Sequence, residues 1–280
     1  MDYPVRLLCR LLQVKSSSYY TWKGRGAKVI DAEEFALCVR MKELFAQSRE
    51  SLGNRGMQKK LRAEGVKIGR YRVRKLMNRL GLKVKLKRKY KATTDSKHHL
   101  PVAENKLNRN FNPPEPNQVW TTDITYVWTI QGWLYLAVVM DLYARRIVGW
   151  CIDTHMTKEL TLRALAMAIH LRQPDPGLMH HSDRGSQYAS EAYQEALDQQ
   201  QMICSMSRKG NCWDNAVTER FFRSLKTEWI GDQVYQTRQQ AIQDVNEYMQ
   251  YYDRVRLHST LGYQTPMEYE NTLGKVSGFT

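Results

Sequence analysis

The sequence changes rhythm at Pro116. Before it, apolar residues recur at helical spacing among basic ones. After it, short runs of β-branched and aromatic residues alternate with helical stretches. A chain built this way cannot close as one helical bundle or as one all-β sandwich. Gln118 to Trp128 predicts a strand, Gly132 a turn, Trp133 to Asp141 a second strand and Arg145 to Thr154 a third, with Gly149 at a bulge. The three are close enough for an antiparallel meander. Helices over 157–171, 190–201 and 214–229 then alternate with strands over 177–181 and 202–206, and Thr157 is placed as the N-cap of the first helix. The order β-β-β-α-β-α-β-α predicts an α/β fold, a mixed five-stranded sheet with helices on its faces.

The half before Pro116 is helical and basic. Val5, Leu8 and Leu12 mark one face of a short helix, Ser16–Trp22 begins a second, and Gly24 and Gly26 break the pattern. Over 31–48 the apolar side is assigned to Phe35, Leu37, Val39, Met41, Leu44 and Phe45. Residues 54–65 read as a helix ended by Gly65, 66–69 as a turn, and 70–81 as a second helix. That second helix carries Val73, Leu76, Met77 and Leu80 inward and Arg70, Arg72, Arg74, Lys75 and Arg79 outward. Helix, short turn, basic helix is the helix-turn-helix outline. Lys83-Val-Lys-Leu-Lys-Arg-Lys-Tyr-Lys91 alternates charge and bulk, as suits an extended arm on a phosphate backbone through Lys83, Lys85, Lys87, Arg88 and Lys89. Residues 92–117, with four prolines, read as a linker.

Charge supports this division. The net charge is +15, but residues 1–110 hold 28 Lys and Arg against 9 Asp and Glu, whereas residues 111–280 hold 15 against 19. A basic block beside a slightly acidic one predicts a polyanion-binding module joined to a part with another task. No apolar run is long enough to span a bilayer, and the first residues lack the apolar stretch of a secretion signal. Five cysteines without regular spacing predict free thiols in a reducing cytoplasm, and the His98-His99 and His180-His181 pairs lack a cysteine pair at zinc-finger spacing.

Three carboxylates stand out. Asp123 falls mid-strand in Trp-Thr-Thr-Asp-Ile-Thr, Asp183 just past a strand end in His-Ser-Asp-Arg-Gly-Ser-Gln-Tyr, and Glu219 on the last of these helices in Asn-Ala-Val-Thr-Glu-Arg-Phe-Phe. Open α/β sheets carry their sites at strand carboxyl ends. Taken singly each residue is ordinary: a strand aspartate, a turn, a surface helix glutamate. Together they form an all-oxygen set of the kind Mg²⁺ or Mn²⁺ prefers. Lys226 lies seven residues beyond Glu219, within about 20° of it on an α-helix, with Asn215 and Arg223 flanking the same face.

These three motifs, the 35 residues between Asp183 and Glu219, and the segment Tyr251-Tyr-Asp-Arg-Val-Arg-Leu-His-Ser-Thr-Leu-Gly-Tyr-Gln-Thr-Pro266 resemble the DDE transposases and retroviral integrases. The resemblance is closest to the second-frame (OrfB-like) product of bacterial insertion sequences encoded in two overlapping frames. It implies an RNase H-like catalytic core at 118–232, a DNA-binding region at 31–91, a short helical segment at 1–30 and a helical extension at 233–280. It implies Asp123, Asp183 and Glu219 as ligands of two Mg²⁺ or Mn²⁺ ions and Lys226 as a DNA contact near the cut. It implies strand cleavage at element ends followed by strand transfer, with no histidine base. His180 and His181 are read as packing or DNA-facing neighbours. The implied partners are double-stranded DNA, further copies of the chain on that DNA, and a first-frame (OrfA-like) partner or fusion, since no sustained heptad repeat is found near the N-terminus. The implied location is the cytoplasm, at the nucleoid. A partial or inactive copy acting as a repressor and an RNase H-like nuclease remain as alternatives.

Overall fold

The computed structural model describes residues 4–24, 31–84, 100–208 and 211–276. The chain forms two compact units, Met1–Leu44 and Phe45–Thr280. In the first, α1 (Val5–Leu11) packs on α2 (Ser16–Gly24), and α3 (Ala32–Gln47) begins. Two predicted faces are corrected here. Cys9, not Leu8 or Leu12, is the buried residue of α1. On α3 the buried set is Cys38, Met41, Leu44 and Phe45, while Phe35 and Val39 face outward. Residues 35, 37 and 39 alternate like a strand, whereas a helix gathers residues three and four apart.

The second unit opens with the two helices of the basic region, α4 (Asn54–Ala63) and α5 (Arg70–Arg79). Met57 and Leu61 on α4, and Val73, Leu76 and Met77 on α5, are buried. Each fully buried side chain of this size contributes about 1.5–3 kcal/mol. Gly65 ends α4 at φ +86°, and the Val66 N–H returns to the Leu61 carbonyl. The turn is fastened by Gln58 Nε2 and Arg62 Nε, which both donate to the Ile68 carbonyl.

The sheet holds β1 (Val119–Thr129), β2 (Gly132–Asp141), β3 (Arg146–Asp153), β4 (Met179–Ser182) and β5 (Ile203–Met206) in the order β3-β2-β1-β4-β5. The first three strands are the predicted antiparallel meander; β4 and β5 add on in parallel. The predicted irregularity in β3 is present: Val139 faces Gly149 and Met140 faces Ile147, so Val148 is the extra residue. Gly149 has a second task, because a Cβ there would lie 2.2 Å from the Ala164 carbonyl oxygen on α6 (Lys158–Arg172). Thr157 does stand at the N-cap of α6, though its side chain makes no cap bond to the backbone.

Two layers cover the sheet. On one face α6 and α7 (Glu191–Gln199) enclose Trp120, Ala137, Val139, Leu160 and Tyr193. On the other, α8 (Ala216–Ser224) and α9 (Arg238–Arg254) enclose Leu136, Val138, Met140, Phe221, Tyr248 and Tyr252. A 3-10 turn, Cys212–Asn215, leads into α8, and Leu225–Ile230 continues it as a π-helix. A capping box at Thr237 and Gln240 starts α9, and α10 (Pro266–Val276) follows. Leu107, in the Pro-rich stretch before the sheet, joins this second core, and the Lys106 and Leu107 N–H groups donate to Ser205 Oγ on β5.

Candidate active site

The site begins with a difference in strand length. β1 has eleven residues, but β4 pairs with only its first part, Val119–Thr121 against Met179–His181. Asp123 lies two residues past Thr121, and Asp183 two past its partner His181. The parallel register therefore carries the two aspartates to neighbouring positions on strands about 4.8 Å apart, where β4 ends and the edge of β1 opens. Asp183 is held there by its own turn, its Oδ1 accepting the Gly185 N–H at 2.9 Å. A Cβ on Gly185 would approach that oxygen to 3.0 Å. Asp123 Oδ1 accepts the Ile124 N–H at 2.8 Å.

Glu219 arrives from the opposite layer. Asn215 and Thr218, both buried, tie the start of α8 to β1. Asn215 Nδ2 donates to the Thr122 carbonyl at 3.1 Å, and the Thr218 hydroxyl lies 2.8 Å from that of Thr121 and 3.0 Å from Asn215 Oδ1. Glu219 follows immediately and faces the aspartates. Behind it, Phe221 and Phe222 anchor the helix in the core.

The electrostatics record the convergence. Burial, then the charge of Asp183, then that of Glu219 push Asp123 well above the usual carboxylate range, against the Ile124 N–H and Lys226. Glu219 is raised by burial and by Asp183. Lys226 is lowered by burial, with Asp123 opposing, and its Nζ stands 4.2 Å from the centre of the Tyr126 ring. Acids that raise one another's pKa in one place favour a cation between them. Among the described residues no three His, Cys, Asp or Glu side chains are already gathered at ligating distance round one point.

The structure thus brings Asp123, Asp183, Glu219 and Lys226 together. Lys226 lies in the π-helical stretch, so the 100° spacing of an α-helix does not govern its direction. It is placed by its reach toward Tyr126 and Asp123. Arg223 is exposed. Asn215, expected to flank the face, is a buried tie to the strand. The DNA-facing reading of the histidines is overturned. His180 bonds Tyr193 Oη at 3.1 Å, His181 bonds Ser205 Oγ at 2.9 Å and Ser207 Oγ at 3.2 Å, and burial lowers the two to about 3 and about 4. Both are neutral core residues near pH 7.

Arg70, Arg72, Arg74, Lys75 and Arg79 occupy the exposed face of α5, and Lys83 is exposed beyond it. Lys85, Lys87, Arg88 and Lys89 lie outside the described residues. Two residues escaped the sequence reading. Thr218 looks like any small helix residue until its partner on β1 is seen. Asp214 is fully buried and accepts bonds from Arg208, Arg109 and Asn105, which pins the turn before α8. Arg208 chiefly holds its carboxyl below the usual range. An acid one residue before Asn215 at a helix start was the available signal.

Residues 113–212 match the family described as Integrase core domain, residues 200–266 a second family of the same description, and residues 32–90 the HTH-like domain. The chain is 43% identical over 263 residues to the insertion element IS600 uncharacterized 31 kDa protein of Shigella sonnei, covering 94% of this chain and 97% of that one. It is 37% identical over 273 residues to transposase InsF for insertion sequence IS3A of Escherichia coli strain K12, covering 96% and 95%. Among solved structures, a chain of the simian T-cell lymphotropic virus intasome in complex with PP2A regulatory subunit B56 gamma shares the fold. Its TM-score is 0.50 at 15% identity, over 82% of this chain and 74% of that one.

Proposed function

This chain belongs to the insertion-sequence transposases that include InsF, and from that membership we propose that Asp123, Asp183 and Glu219 are the groups with which it cuts DNA at element ends and joins them to a target. It is a DNA transposase with an integrase-type core and a helix-turn-helix-like region that binds DNA. The observation that carries the assignment of the acids is their meeting at the open edge of β1, where burial and mutual repulsion raise Asp123 and Glu219.

The donor set fits a hard divalent cation. It is all carboxylate oxygen, its charges need compensation, and the adjacent histidines are turned into the core with both ring nitrogens of His181 engaged. Asp123, Asp183 and Glu219 would hold magnesium or manganese. Two such ions, when bound, supply a Lewis acid to the attacking hydroxyl and to the leaving 3′ oxygen. Lys226, supported by Tyr126, presents an ammonium beside Asp123 for a phosphate oxygen of the strand being cut. Carboxylates alone repel a phosphodiester, so the cations they would hold are what would let the strand approach β1, and Asn215 and Thr218 keep Glu219 in place for them. Arg70, Arg72, Arg74, Lys75 and Arg79, with the basic residues between Lys83 and Lys91, hold the duplex through its phosphates.

An element has two ends and one chain carries one acid set, so the working assembly on DNA holds at least two copies. A first-frame product is its further partner. The place of work is where the DNA lies, in the cytoplasm at the nucleoid; no helix among the described residues is long and apolar enough to cross a membrane.

Cleavage of an end-labelled duplex carrying the element terminus is expected to need Mg²⁺ or Mn²⁺ and to stop in chelator. Undiminished cleavage in chelator contradicts the metal assignment.

A further inference from the structure

Leu225–Ile230, the π-helical turn that carries Lys226, has no proline or glycine in its own sequence to account for its shape. A π turn is rare and is found mostly at functional sites. The contacts that hold this one come from other elements. Lys226 reaches toward Tyr126 and Asp123. The residues just beyond it are held elsewhere: Arg256 Nε and Nη2 grip Glu228 at 2.7 and 2.8 Å, and Trp229 lies against Arg49.

Trp229 is pinned at three points. The Arg49 guanidinium carbon stands 3.8 Å from the centre of its indole, and Arg49 Nη1 donates to its carbonyl at 3.4 Å. Its own Nε1 donates to the Asp244 carbonyl on α9 at 3.0 Å. Arg49 also makes a two-pronged pair with the Asp244 carboxylate, Nη1 to Oδ2 at 3.0 Å and Nη2 to Oδ1. Asp244 is buried, and Tyr235 Oη donates to it as well. Glu247 stands farther off, 3.7 Å from Arg49.

Arg49 does not belong to the sheet or its covering helices. It lies in the stretch that matches the HTH-like domain, ahead of α4. Its backbone is left-handed, at φ +47°, as is that of Glu50 at φ +64°. Glycine is the usual residue where a helix ends in that conformation. An arginine there is held against its backbone preference by the contacts of its side chain.

We propose that Arg49 is a positioning residue for strand cleavage: by holding Trp229 against Asp244 it keeps the π turn wound so that Lys226 faces the acids. The proposal rests on the reading of Lys226 as the group that meets the cut strand. The region that binds DNA thereby supplies part of the frame of the active site.

The test is cleavage of an end-labelled element-end duplex by the intact chain, in the wild-type background and in Lys226→Gln, with duplex affinity followed by fluorescence anisotropy. Arg49→Gln alone leaves Asp244 as an unpaired buried charge, so the variant measured is the neutral pair Arg49→Gln, Asp244→Asn. Trp229→Phe, which keeps a ring and loses the bond to the Asp244 carbonyl, should move the rate in the same direction. The neutral pair is expected to bind the duplex as the wild type does and to cleave about ten- to a hundredfold more slowly, the effect of moving a group by about 1 Å. In Lys226→Gln, itself slow, the same pair should cost less than about twofold more, because residues that act through one another do not add. A fold merely loosened would lose the same factor in both backgrounds. That result, wild-type cleavage by the neutral pair, or an equal loss of duplex affinity would each overturn the proposal and leave the reading of Lys226 standing. Wild-type cleavage by Lys226→Gln would overturn that reading and the proposal with it.

Discussion

Glu219 is positioned by the residue before it. The Thr218 hydroxyl bridges Thr121 on β1 and Asn215 at the helix start, all three buried. Thr218→Val keeps the shape and deletes the bridge, leaving the Thr121 hydroxyl and the Asn215 carbonyl without it at a cost of about 1–3 kcal/mol. Displacing a reacting group by as little as about 1 Å can lower a rate on the order of a hundredfold. Cleavage by Thr218→Val is therefore expected to fall about ten- to a hundredfold with DNA affinity unchanged; wild-type cleavage would show that the bridge does not position Glu219. At this scale the convergence of the acids was legible from their joint placement, mid-strand for Asp123, just past a strand end for Asp183 and on the following helix for Glu219, since each taken singly is ordinary. Thr218 and Asp214 were not, because their purpose lies in partners distant in sequence, on β1 for one and at Asn105 and Arg109 for the other.

Among the elements, β1 and β4 make the site by being unequal, and α6 holds the meander in place from behind. Gly149 is where the second of these relations can be tested. A Cβ at that position meets backbone, the Ala164 carbonyl oxygen and the Ala168 nitrogen at 2.2 and 2.8 Å, which cannot rotate away as a side chain would. Gly149→Ala should destabilise the fold by about 2 kcal/mol or more, read as a lower midpoint in denaturant unfolding with an unchanged slope. An unchanged midpoint would mean that α6 is free to shift. The succession of strands and helices along the chain was legible because branched and aromatic runs between turn residues mark strands locally. The faces of α1 and α3 were not, since apolar residues outnumber the buried positions there and the pattern alone does not choose among them. Nor was the π-helical end of α8, because Leu225–Ile230 carries no breaker to signal it.

Over the whole molecule, the proposed division of function follows that of charge: the basic first part would hold DNA, and Asp123, Asp183 and Glu219 lie in the slightly acidic second part. Phosphate contacts release counterions, each contributing about 0.9 to the slope of log affinity against log salt. Arg70 and Arg74 are both exposed on α5, so the double variant Arg70→Gln, Arg74→Gln is expected to flatten that slope by about two; an unchanged slope would remove α5 from the DNA surface. The change from helices to strands was legible in the rhythm at Pro116, but the compact units divide at Leu44 instead, and Leu107, before Pro116, packs in the core of the sheet. How α8 presents Glu219 on one side and buries Phe221 and Phe222 on the other depended on tertiary packing that no local pattern encodes. On this reading all cleavage depends on Asp123, Asp183 and Glu219. Cleavage of an element-end duplex should be measured for Asp123→Asn, Asp183→Asn and Glu219→Gln beside the wild type, with binding followed on the same DNA. Each variant should lose cleavage on the order of a thousandfold or more, with pairs no worse than singles because the three act as one unit, while DNA is still bound. Cleavage at the wild-type rate by any one of them would contradict it.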